Sequence, residues 1–359
     1  MKKRLIGSFL LILFISLLAK EKELRPYRLV NADSLIATKV DNEYVTHLSG
    51  NVHFFYGETE FFSDFARIYE KKKISSLFGN VKVFDDTLSL FADRVDYYRL
   101  REEIFLNGNV FVKEVHSDST FRTFESERAE YYRDERKFVA IDDVRAFDQK
   151  EKFRGKCGYL NYDIAAGYGY LIKNPVVSVE GEDSLAISAE KIEYFNDFKK
   201  ITASFNVETK STEFKINSDF LLYFENEEKA IFQGKPVFRS ELARASAEEF
   251  QLKFRDKKII FAQLTDSCRV DFKTESEETM KNWVTADLMK FYFSDGKLSE
   301  CRAEFNVKSF YRQEKSEKKD FLINKADGDK LIITLDTEGK LETIAIKKKV
   351  SGKYKFFKK

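Results

Sequence analysis

An acidic residue recurs along the chain about every 30 residues, as Asp33, Asp64, Asp93, Glu127, Glu190, Asp219, Glu248, Asp287 and Asp327. Each follows Ala or Ser. A row of carboxylates could hold metal or carry acid–base steps. Acid–base chemistry, however, needs a pair of carboxyls in unlike environments, and these acids recur singly. A turn-capping row that accepts backbone N–H bonds is the plainer role. His47, His53 and His116 show no ligand spacing. Cys157, Cys268 and Cys301 are odd in number, far apart and without a CxxC pair, which argues against a disulfide framework or zinc site. With no Ser/His/Asp set, phosphate loop or nucleotide fingerprint, the sequence predicts no catalytic residues, no metal and no cofactor.

The elements that carry these residues follow from composition. The chain has 359 residues, with 36 Phe and 17 Tyr but only 3 Pro, so it avoids the residue that interrupts backbone ladders. That balance predicts sheet. The formal charge is +2; losing Lys2, Lys3 and Arg4 with a cleaved leader leaves 59 basic against 60 acidic residues. No global basic field for nucleic acid exists.

A unit of about 30 residues repeats from end to end. Its clearest form is Gly50-Asn51-Val52, Gly79-Asn80-Val81 and Gly108-Asn109-Val110, and the valine recurs at Val144, Val176, Val207, Val237, Val270 and Val307. In the fourth unit Gly155-Lys156 stands where the acid is expected. Apolar residues alternate after the acid, as in Val95/Tyr97 and Ala129/Tyr131, which is the period of a strand with one buried face. Charged turns such as Glu70-Lys71-Lys72-Lys73 separate the strands. Pro175 and Pro236 are assigned to the Asn position of the bend. ELARASAEEFQL, 241–252, has helical propensity, but its place in the repeat predicts a strand.

Residues 1–20 carry three basic residues and an apolar run from Leu5 to Leu18, the pattern of a secretory signal. A signal peptide is expected over 1–19, with a retained anchor as the alternative. The repetitive domain is expected over 29–346. A basic, aromatic tail, 347–359, holds seven lysines; it either guards an edge strand or attracts anionic lipid.

With its G-N-V bends, its Ala-Asp and Ser-Glu strands and its leader, the chain resembles the OstA/LptA family of lipopolysaccharide transport proteins. The resemblance is strongest over 29–132 and continues by repeat alone to about 346. It implies an all-β, repetitive open β-jellyroll, folded over so that two sheets enclose an apolar groove for acyl chains. It also implies head-to-tail joining of such grooves between the inner and outer membranes. The implied role is an exported periplasmic protein, free or associated with the inner or outer membrane, that shields acyl chains of lipopolysaccharide or a related glycolipid. Its partners would be other envelope transport proteins, joined through edge strands, or further copies of itself.

Alternation places one stripe inward through Val52, Phe54, Val81, Val83, Val110 and Val112, with Val176 and Val207 continuing it. The opposing row runs through Ile68, Val95, Tyr97, Tyr131, Ile192, Tyr194, Leu221 and Tyr223. These residues, Val176 and Val207 apart, are the fourteen of the candidate lipid-binding groove. The same alternation fits a dry sandwich core, so a β-solenoid scaffold that carries no lipid is the alternative. A polysaccharide-active enzyme on a β-helix would need clustered acids and ranks last. Nine units of two rungs each predict a length of roughly 85 Å.

Overall fold

The computed structural model describes residues 25–150, 152–179, 185–255, 258–273, 279–294, 296–315, 320–336 and 341–357. The leader, 1–19, and the last two lysines lie outside them. The described residues are all β, with 26 strands and no helix long and apolar enough to cross a membrane. All pairings are antiparallel, and most strands pair with the next in sequence. Short turns such as Gly57-Glu58 allow this, because a hairpin needs few connecting residues. Six rungs are split at their bend into two short strands, such as Tyr168–Ile172 and Val176–Val179, so the 26 strands form 20 rungs of one ladder. Residues 241–252 join it through Ala243–Ser246 and Glu249–Arg255.

The bend comes from one extra residue in every second rung. Ser49 pairs with Phe65 and Val52 with Ser63, which leaves Gly50 and Asn51 facing Asp64 alone. Both take left-handed dihedrals, φ 71° and 48°. Such a bulge bends the strand sharply, so one half lies in one sheet and the other half folds over it. We call the half that holds Thr46–Ser49 the A sheet and the half that holds Val52–Tyr56 the B sheet. The bends line up as a ridge, and the free ends of the two sheets meet opposite it along a mouth.

Consecutive left-handed pairs recur at Gly79-Asn80, Gly108-Asn109, Asp142-Asp143, Lys173-Asn174, Phe205-Asn206, Gly234-Lys235, Asp266-Ser267, Phe305-Asn306 and Lys348-Lys349. This corrects the sequence assignment of the prolines. Proline is held near φ −65° and cannot take the left-handed Asn position; Pro175 and Pro236 instead come next, in the place of the repeat valine, and are buried. Val176, expected inward, is consequently 40% exposed, and Val177 turns in at 3%. Val237 shifts in the same way, with Phe238 packed on the core. In the eighth unit Cys268, not Val270, follows the bend and is buried.

Inward residues of both sheets form one continuous hydrophobic core. Each fully buried Phe, Leu or Val contributes about 1.5–3 kcal/mol. The ladder ends in two open edges among the described residues. Tyr27–Asn31 and Ser34–Val40 pair only with Glu43–Tyr56, and Leu341–Lys347 and Ser351–Phe357 only with Asp320–Leu335. The basic tail therefore supplies half of the last rung.

Candidate functional site

The interior between the sheets is the candidate site. Val52, Phe54, Ile68, Val81, Val83, Val95, Tyr97, Val110, Val112, Tyr131, Ile192 and Leu221 are all buried within the single core. Val207 joins them, whereas Tyr223 is half-buried against the core. Tyr194 is half-buried, with its hydroxyl 3.2 Å from Asn196 Oδ1. A cavity between the sheets, lined by Leu88, Leu90, Val112, Phe124, Tyr131 and Phe138, has a volume of about 10 Å³, room for about one water.

Over the first nine rungs the mouth is stitched across by side chains of which the repeat marks only Tyr97. Tyr27 in the B sheet bonds through its hydroxyl to Ser75 in the A sheet. Arg99, in the turn after Leu88–Tyr98, is buried; its guanidinium carbon lies 4.7 Å from the Tyr27 ring centre and 5.9 Å from that of Tyr56. Its Nη2 donates to the Tyr69 carbonyl at 2.9 Å. Tyr97 packs edge-on against Tyr56 and stacks on Phe61, both at 5.6 Å.

Further along, Arg133 in an A-sheet turn reaches Asp85 at the B-sheet tip, 2.8 Å from Nη2 to Oδ1, and Glu102 at 3.3 Å. Thr59 donates to Asp85 at 3.0 Å, and Tyr97 to Glu102 at 2.5 Å. Burial, together with the bond to Glu102, holds the Tyr97 hydroxyl far above the ordinary phenol range. Burial likewise pushes Tyr27 up to about 12, against the pull of Arg99. Beyond these, Arg122 joins the B sheet to Tyr162 of the A sheet at 3.0 Å while pairing with Asp148 at 2.8 Å. The sequence signal for this seam is slight: charged residues in turns, which read as solvated.

The repeated acids sit on the ridge, away from the interior. Asn80 Nδ2 donates to Asp64 at 2.9 Å, Asn109 to Asp93 at 2.8 Å, Asn206 to Glu190 at 2.6 Å and Asn306 to Asp287 at 2.6 Å. Where the bend holds an Asn beside a repeated acid, the acid thus caps it through the Asn side chain; the bends at Asp142-Asp143, Gly234-Lys235, Asp266-Ser267 and Lys348-Lys349 hold none. His53 pairs with Glu60 at 2.7 Å and stacks on Phe62. Burial raises the thiols of Cys157 to about 11 and of Cys268 and Cys301 to about 12, so all three stay protonated at neutral pH.

Residues 27–145 match the family model described as OstA-like protein. This segment resembles OstA-like proteins. The OstA-like segment contains the first four bends and every stitch of the mouth except those made by Asp148 and Tyr162. Among solved structures, LptH of Pseudomonas aeruginosa, the LptA-homologous periplasmic component of a lipopolysaccharide transport device, is similar at 14% identity over 39% of this chain and 76% of its own, with a TM-score of 0.26. At that score the superposition adds nothing to the fold, which rests on the strand register. No curated protein matches the chain.

Proposed function

We propose that the protein is an exported, periplasmic carrier that shields the acyl chains of lipopolysaccharide or a related glycolipid between its two sheets. The observation that carries this reading is the OstA-like match over 27–145, laid on an apolar interior that continues from rung to rung. The fourteen candidate residues, from Val52 to Tyr223, would line the acyl path once the mouth parts. The OstA-like part and the later units would act as one repetitive domain. Partners would be other envelope transport proteins or a second copy, added through the open edge strands. The first edge suits that role, since Leu35 and Ile36 are exposed there and unpaired strand edges accept further strands.

Photo-crosslinking side chains at Val83, Val95 and Ile192 are expected to capture glycolipid in cells. Labelling confined to protein would overturn the carrier reading. One observation favours a second reading, a scaffold with a dry core: the interior holds a cavity of only about 10 Å³ where the mouth is stitched. A scaffold predicts that the purified protein carries no lipid by mass spectrometry, whereas a carrier retains it.

A further inference from the structure

The outer face of the B sheet, in its last rungs, carries a row that neither the interior nor the edges explain. Trp283 pairs with Phe310, Phe310 with Lys325 and Lys325 with Lys353. Buried Asn282, Val284 and Ala326 point inward between them, so the row faces out. Trp283 and Phe310 stack with ring centres 6.2 Å apart, and the Lys325 ammonium lies 5.5 Å over Phe310. Alternation from Lys353 puts Lys355 and Phe357 on the same face. Every residue of Ser351–Phe357 is exposed.

Lys325 and Lys353 stand directly opposite each other, an arrangement that repels. Among the described residues neither makes an ion pair, and residues 347–359 contain no acid. On this face Asp271 stands opposite Trp283 but is paired with Arg269, and Asp327 stands opposite Ser351, so the two like charges lie side by side with no carboxylate between them and gain when an external anion covers them. The interleaved aromatics narrow the kind of anion. Trp and Phe rest at the headgroup level of a bilayer, while lysines extend their ammonium groups to the phosphates.

We propose that this face, Trp283, Phe310, Lys325, Lys353, Lys355 and Phe357, docks on an anionic phospholipid membrane. The docking is independent of any lipid carried between the sheets, so it can fail or hold while the carrier reading does the other. Each lysine at such a surface strengthens binding about fivefold.

The test uses the full chain with phosphatidylcholine vesicles, with and without phosphatidylglycerol. Trp283 is the only tryptophan, so its emission reports this face alone. Phosphatidylglycerol is expected to drive co-sedimentation, to shift the emission to shorter wavelength, and to lose its effect as salt rises. The double variant Lys353→Gln/Lys355→Gln should bind about thirtyfold more weakly with unchanged thermal unfolding. Lys355→Gln alone, a milder change, should lose about fivefold. The apolar run from Leu5 to Leu18 is common to all these proteins and cancels in the comparison. Equal binding with and without phosphatidylglycerol, an unmoved emission, or variants that bind like the parent would overturn the proposal.

Discussion

Arg133 shows how much a single side chain holds at the mouth. It bridges Asp85 and Glu102, both almost fully enclosed, and so joins the tips of the two sheets. Removing one partner of a buried pair leaves an uncompensated charge, which costs about 3 kcal/mol or more. Arg133→Leu is therefore expected to lower the urea midpoint by an amount equivalent to about 3 kcal/mol; a loss under about 1 kcal/mol would show that the stitch is no more than a surface pair. Sequence periodicity placed Tyr97 inside correctly, because it alternates with Val95. It could not reveal Arg133, whose partner Asp85 lies 48 residues away across the fold. Nothing local separates a turn arginine that reaches into such a network from one that reaches into water.

At the scale of the element, the bend is the unit that makes two sheets out of one ladder. Gly79 has φ 74°, and a methyl group there would run into the Asp64 carboxylate. Gly79→Ala should therefore destabilise by more than about 1 kcal/mol, read by thermal unfolding. Adding Asp64→Ala should recover the steric part but not the backbone part. Full recovery would mean that the left-handed backbone costs nothing here. The Gly-Asn bends were legible because both residues are well known for left-handed dihedrals. The later bends were harder to read, since Lys173-Asn174, Phe205-Asn206 and Asp266-Ser267 reach the same backbone with other side chains. There the geometry repeats while the letters change, so the valine period points to positions 176, 237 and 270 although Pro175, Pro236 and Cys268 hold its place.

For the whole molecule, 20 rungs stacked without a crossover make each rung answer mainly to its two neighbours. Such a ladder opens from its ends. Amides of Ser34–Val40 and Ser351–Phe357 should exchange first and those of Ile74–Asp85 and Glu103–Val115 last, as followed by hydrogen exchange. Uniform protection along the chain would instead mark a single cooperative block. All-β repetition was readable in advance, because it depends only on the period of the sequence. The closure of the mouth was not, since it depends on which turns face each other after the fold-over.

The left-handed pairs on the ridge have one more consequence. Each bend returns the strand over itself without disturbing which residues face in, so a duplicated pair of strands fits anywhere along the ladder and lengthens it by about 10 Å. Both ends then keep their own surfaces, one apolar, the other cationic. Chain length becomes a ruler, and a gap of a different width can be matched by copying a unit rather than by redesigning either end.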